Sequence, residues 1–299
     1  MASTIHYNQC PCCGSVAISK ALDCKDYTVT EEVFEIWKCS NCSFMFTQNV
    51  PDAEHIQRYY QSTAYVSHSD TKRGLINRLY HISRKFTLRS KSNLVKRVAG
   101  IQQGSLLDIG AGTGAFANAM QQQNWSVTAL EPDATARENA FTNYNLTLQD
   151  LSHLQYLQAE SFNAITLWHV LEHVHELHFY FERFYQLLKP TGRLIIAVPN
   201  YTSHDAQVYK RYWAAYDVPR HLYHFSPKNM KQFAEQKGFV TEAVKPMWLD
   251  SFYVSMLSEK YKTGSGNVIR AFFVGLFSNI KALSNTEKCS SVIYVLKKR

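Results

Sequence analysis

The chain has 299 residues, 45% of them hydrophobic, with 32 Lys and Arg against 24 Asp and Glu and a net charge of +8. That much apolar material excludes a disordered chain, and the length suits one large domain with a small one, or two ordinary domains. The opening "MASTIHYNQC" lacks the basic and apolar regions of a secretory signal, and the longest apolar run, "AFFVGLF" at 271–277, is too short to span a bilayer. A cytoplasmic protein without a transmembrane segment is therefore expected.

Six of the seven cysteines fall within residues 10–42. Cys10 and Cys13 form one C-x-x-C knuckle and Cys39 and Cys42 another, which together supply four thiolates for a tetrahedral Zn2+. "YTVTEEVFEIWKC" between them is rich in β-branched and aromatic residues, as a ribbon strand would be. Cys12 occupies a spacer position. A redox dithiol would call for a thioredoxin-like context and disulfides for secretion, and neither is visible. With all four positions filled, such a zinc is structural.

Between Thr71 and Gly100 stand nine Lys or Arg and no acid. Leu75, Leu79, Ile82 and Phe86 recur there at helical spacing, which predicts an amphipathic helix with a solvated basic side. The same stretch could attract phosphates.

"GSLLDIGAGTGAFANAMQQQNWSVTALEPD", residues 104–133, reads as strand, glycine loop, helix, strand and terminal acid, one βαβ unit of the doubly wound type. A dinucleotide site calls for G-x-G-x-x-G, whereas Gly110, Gly112 and Gly114 are spaced G-x-G-x-G. Asp108, at the end of the first strand, would repel a pyrophosphate and suits a cationic ligand such as S-adenosylmethionine. Glu131 is placed to accept from ribose hydroxyls.

"LLDIGAGTGAF", "ALEPD", "WHVLEHV" and "LLKPTGRLIIAVPN" follow in that order. Over residues of about 100–245 the chain resembles the class I S-adenosylmethionine-dependent methyltransferases, and with the cysteines in front it resembles bacterial members that carry an amino-terminal zinc-ribbon module. The resemblance implies an α/β fold: a Rossmann-like seven-stranded sheet, mostly parallel with the last strand antiparallel. It divides the chain into a zinc ribbon at 1–48, a basic helical linker or lid at 49–100 and a methyltransferase domain at 101–299, with an insertion at 263–285. It also implies that Asp108, Ile109, Gly110, Ala111, Gly112 and Gly114 hold the methionine part of the cofactor. Glu131 and Pro132 would hold the ribose, Asp150 and Leu151 would lie by the adenine, and Trp168 and His169 would line the bound molecule.

The stretch "WHVLEHVHELH" at 168–178 matches the H-x-x-E-H pattern of zinc peptidases. That reading needs His169 and His173 together on a helix, but the resemblance puts His169 at the end of the fourth strand, with a helix beginning over 171–178. His169 is then the first candidate to remove a proton from the methyl acceptor, and His221 the second. The aromatic segment "YTSHDAQVYKRYWAAYDVPRHLYHFS" suggests where a flat or sugar-like acceptor would bind, with Trp213, Arg220 and His224 as candidates alongside Tyr60 and Tyr65. Ser226 and Pro227 read as the cap and first turn of a following helix.

These readings converge on methyl transfer to a small-molecule acceptor such as a sugar, glycan precursor or similar metabolite. The rivals are an RNA methyltransferase that grips phosphates through ribbon and basic helix, a module that binds the cofactor without turnover, and the zinc peptidase. The pattern names no oligomeric partner.

Overall fold

The computed structural model describes residues 3–60 and 75–299. Tyr65, expected in a lid, lies outside the described residues. The amino-terminal part carries strands β1 (Thr4–Ile5), β2 (Ile18–Lys25), β3 (Val33–Cys39), β4 (Met45–Thr47) and β5 (Val50–Pro51). Helix α1 (Leu75–Ala99) leads to β6 (Ser105–Ile109), α2 (Ala115–Gln121), β7 (Ser126–Leu130), α3 (Ala134–Tyr144), β8 (Phe162–Trp168), α4 (Leu177–Leu187) and β9 (Leu188–Pro199). Then follow α5 (His204–Tyr209), β10 (Tyr223–His224), α6 (Pro227–Gln236), β11 (Phe239–Pro246), α7 (Asp250–Thr263), α8 (Val268–Ser284) and β12 (Ser291–Lys298).

The main sheet has six strands in the order β11-β12-β9-β8-β6-β7, with β6 parallel to both β7 and β8. Its central strands are buried throughout: Leu106, Leu107 and Ile109 on β6 and Ala164, Ile165 and Leu167 on β8 have no or almost no exposure. Such near-continuous apolar runs are what a parallel sheet covered on both faces requires. The sheet has six strands and not the expected seven, because "NLTLQ" at 145–149, which the methyltransferase resemblance makes the third strand in chain order, does not form. Leu146 and Leu148 are buried in extended alternation, but the segment makes a single bridge, Leu130 to Gln149, closed by two backbone hydrogen bonds of 2.9 and 3.0 Å. The left-handed Asn145 that ends α3 and the 3₁₀ turn at Leu151–Tyr156 leave it no length to pair further.

Two compact units are distinguished. One contains residues 66–168, 181–195 and 295–299, and within it α1 buries Leu94 and Val95. Phe86, expected on the buried stripe, is instead 68% exposed.

The other unit contains residues 1–65, 169–180 and 196–294. Its hairpin β2–β3 runs antiparallel between the two cysteine knuckles and is extended by β4 and then by β10, in the order β10-β4-β3-β2. The segment "RHLYHFS" thus completes a four-stranded sheet, pairing Tyr223 with Phe46 and His224 with Met45. Helix α6 begins as expected: Ser226 and Asn229 form a reciprocal capping box and Pro227 occupies the first position. The expected helix start over 171–178 is split, a 3₁₀ turn at Leu171–His173 being followed by α4 only from Leu177.

Candidate functional site

In the first-described unit the glycine loop follows the end of β6. Gly110, Gly112 and Gly114 have φ of 67, 54 and 77°, a left-handed path that costs glycine little. Gly112 N–H donates to Glu131 Oε2 at 2.7 Å, and Asp133 N–H donates to the other carboxylate oxygen at 3.0 Å, so the acid that ends β7 and the loop that ends β6 are held as one edge. A side chain on Gly114 would strike Ala140 Cβ at 2.9 Å and Leu146 Cδ2 at 3.1 Å, whereas one on Gly112 would meet nothing within 4 Å. The two glycines therefore serve different ends: Gly114 lets α2 pack closely, and Gly112 faces open space.

Asp108 is 1% exposed and accepts a 2.7 Å hydrogen bond from Thr166 Oγ1 on β8. Burial pushes its carboxyl up to about 7, against the opposing pull of Thr166 and Lys91. Lys91 lies over the Trp168 ring, 4.4 Å from its centroid, and Phe116 meets that ring edge to face at 5.5 Å. The indole Nε1 of Trp168 is buried with no hydrogen-bond partner among the described residues. Ile109 is buried in the sheet, Ala111 is half-buried and Pro132 is exposed. Asp150 caps the 3₁₀ turn that Leu151 begins, accepting from Ser152 N–H and Oγ, and receives Arg137 at 3.2 Å. These Ser152 bonds, with Arg137, hold its carboxyl below the usual range. Arg137 also donates to the carbonyls of Glu131 and Pro132 at 2.7 Å each.

A further segment of the other unit starts at His169, the residue after Trp168. His169 takes φ of 60°, a left-handed conformation rare for a branched ring residue, and its N–H is held by Ala197 O at 2.9 Å. Its ring stands between two carboxylates, Nε2 being 2.8 Å from Asp250 and Nδ1 3.3 Å from Glu172. Burial works against its charge, but Asp250 and Glu172 outweigh it and raise His169 to about 10, so the ring is an imidazolium at neutral pH. Glu172 is fully buried, yet the His169 cation keeps it ionised. Beside it, the rings of His173 and His221 meet edge to face at 4.5 Å. His173 Nδ1 lies 2.9 Å from Arg220 O and 3.0 Å from Tyr60 Oη, and burial together with His221 pushes it down to about 4, so it is neutral. His221 Nδ1 lies 2.9 Å from Ala215 O.

Most of the expected acceptor contacts are packed inside this unit. Trp213 is 2% exposed and donates from Nε1 to Asp205 at 2.7 Å, in a cluster with Tyr209 and Tyr216. Arg220 is 1% exposed; its guanidinium donates to Asp26 at 2.8 Å, to Asp217 at 2.7 and 3.0 Å and to Tyr59 O at 2.7 Å. These bonds use four of its five N–H donors. His224, on β10, is buried with Nε2 against Thr47 at 3.1 Å. Of the described candidates only Tyr60 joins the histidine cluster. Of the two carboxylates that set the charge of His169, Glu172 belongs to the H-x-x-E-H pattern, but Asp250 carried no mark in the sequence: it lies 81 residues downstream, at the start of α7.

At the cysteine knuckles, the sulfurs of Cys10, Cys13, Cys39 and Cys42 lie within 4.8 Å of one another, with Cys10 to Cys42 at 3.6 Å and Cys13 to Cys39 at 3.7 Å. A tetrahedron with Zn–S of about 2.3 Å has sulfurs about 3.8 Å apart, so these positions fit zinc. Cys12, though buried, stands outside the quartet.

Comparison with known proteins agrees with this arrangement. A family model described as "Methyltransferase domain" matches residues 82–244, more than half of the chain, and the chain belongs to that family. No curated protein matches it. Among solved structures, magnesium protoporphyrin IX methyltransferase from Synechocystis, with bound SAH, superposes with a TM-score of 0.55 at 13% identity over 83% of this chain and 100% of that one. A structure described as a sarcosine dimethylglycine methyltransferase from Galdieria sulphuraria gives 0.51 at 16% identity, covering 74% of this chain and 88% of that one. At such identities the likeness is one of fold: this is a class I, Rossmann-like methyltransferase. No helix among the described residues is long and apolar enough to cross a membrane.

Proposed function

We propose that the chain binds S-adenosylmethionine at the edge formed by Gly110–Gly114 and Glu131 and methylates a small acceptor such as a sugar, a glycan precursor or a similar metabolite. The observation that carries this reading is the open edge itself. Gly112 faces free space, Glu131 is fixed beside it by two backbone donors, Asp108 is buried behind it, and the Trp168 indole N–H has no partner among the described residues. An acid-lined edge disfavours phosphates and suits a ligand that carries an amino group, ribose hydroxyls and a sulfonium. When bound, that ligand supplies an activated methyl group.

The chain's own residues then divide the remaining work. Glu131 accepts from the ribose hydroxyls, Asp150 and Leu151 flank the adenine, and Asp108 is on the methionine side. His169, held cationic by Asp250 and Glu172, is not a base in this state; with both ring nitrogens facing those carboxylates, it positions them and does not touch the acceptor. His221 is the better proton acceptor, because its Nδ1–H is committed to Ala215 O and its Nε2 keeps a lone pair. Four cysteines hold a structural Zn2+ that ties the knuckles to the β2–β3 hairpin. The aromatic segment expected to contact the acceptor acts chiefly as core.

Calorimetry with S-adenosylmethionine on the wild type and on Glu131→Ala tests the cofactor site: binding in the micromolar range should be lost in the variant. Transfer of labelled methyl to a panel of sugars and nucleotide sugars tests the acceptor. Cofactor binding with transfer only to RNA would overturn the small-molecule reading.

A further inference from the structure

Glu172, His173 and His221 contain a group that methyl transfer leaves unexplained. Glu172 is fully buried, one oxygen lies 3.3 Å from His169, and the other, Oε2, has no hydrogen-bond partner among the described residues. A buried polar atom left without a partner is costly, and more so when charged, so such atoms persist where something else fills the gap. Its neighbours are two imidazoles with defined tautomers. A carbonyl oxygen can only accept, so His173 donates its Nδ1–H to Arg220 O and His221 donates its Nδ1–H to Ala215 O, each at 2.9 Å. In that tautomer each ring presents its Nε2 as the remaining ligand atom. Ligand-capable atoms of Glu172, His173 and His221 all lie within 4.8 Å of one another.

We propose that Glu172, His173 and His221 form a second metal site, separate from the four cysteines, which takes a first-row divalent cation of borderline softness such as Zn2+. Two imidazoles and one carboxylate are a ligand set that zinc and its neighbours accept, whereas calcium and magnesium prefer sets built of oxygens. The Nδ1–H bonds to backbone carbonyls are the outer contacts that fix metal-ligating histidines. Bond lengths of about 2.0–2.1 Å would bring the three atoms to roughly 3.3 Å apart, so the trio must draw in by up to about 1.5 Å. His169 takes no part, since both its nitrogens face carboxylates. The H-x-x-E-H spacing thus holds two of the ligands, and the third comes from His221. Three protein ligands leave a position open to water or to an acceptor oxygen, whose proton the ion would loosen. With the ion bound, His221 Nε2 is spent on it, and the ion takes over the activating role given above to that nitrogen. The site itself does not depend on the methyltransferase reading.

The test is a Co2+ titration of the metal-stripped full chain, followed by absorption. The four-cysteine site gives strong thiolate charge-transfer bands, whereas a site of two histidines and a glutamate adds only weak d–d bands. The wild type should take up two equivalents, one without thiolate bands. Glu172→Gln and His221→Ala should each lose that equivalent and keep the thiolate bands, which also report that the variants are folded. A wild type whose only bound Co2+ shows thiolate bands would overturn the proposal, as would variants that still bind two. If a variant fails to fold, the wild-type titration decides alone, because it separates the two ligand sets by their spectra.

Discussion

The burial of Asp108 makes a stability claim that can be read by titration. In the folded chain its carboxyl is raised from the ordinary 3.8 to about 7 by burial. Between those values the native state holds a proton that the unfolded state has released, so stability falls as pH rises from about 4 to about 7 and is level above. At about 1.4 kcal/mol per pH unit, that rise corresponds to roughly 4 kcal/mol of destabilisation at pH 8. Asp108→Asn removes the ionisation while its side-chain oxygen can still accept from Thr166 Oγ1. The variant should be more stable than the wild type at pH 8 by about 2–4 kcal/mol, with little difference at pH 4. Urea denaturation across this pH range reads both numbers. The same variant should bind S-adenosylmethionine at least tenfold more weakly, since it lacks the charge behind the glycine edge. Equal pH slopes in the two proteins, or a variant less stable at pH 8, would refute the reasoning.

The paired glycines should separate packing from binding. Gly114→Ala should lose about 1–3 kcal/mol by denaturation because its Cβ would meet Ala140 at 2.9 Å, whereas Gly112→Ala, with nothing within 4 Å, should lose about 1 kcal/mol and mainly weaken cofactor binding by calorimetry. Arg220→Met leaves Asp26 and Asp217 without their buried cation and should cost about 3–5 kcal/mol; a loss below about 1 kcal/mol would show that Arg220 is free to bind ligand. For His169 the folded value, about 10, lies above the ordinary 6.5, so the stability it contributes is full below pH 6.5 and fades as pH rises toward 10. Nitrogen NMR of the ring should give a midpoint well above 8, and Asp250→Asn should bring it down.

Sequence by itself settled what depends on near neighbours in the chain. The βαβ unit was legible because a buried parallel strand must be apolar throughout and a tight loop between strand and helix needs left-handed glycines, and 104–133 contains both. The cysteine quartet was legible because two C-x-x-C knuckles already place sulfurs in pairs. The cap at Ser226 and Pro227 is a matter of four consecutive residues. Tertiary structure decided the rest. "NLTLQ" has the alternation of a strand, but pairing is a property of the partner edge, and only one bridge forms. Trp213 and Arg220 looked like ligand contacts because aromatic and charged residues suit ligands; their partners Asp205 and Asp26 lie 8 and 194 residues away, and those partners bury them. The charge on His169 is set by Asp250, 81 residues on, and the orphaned oxygen of Glu172 exists only because folding removes water from it and brings His173 and His221 alongside. Desolvation and long-range pairing have no local sequence signature, and that is why the chemistry of this cluster emerged only once the chain was folded.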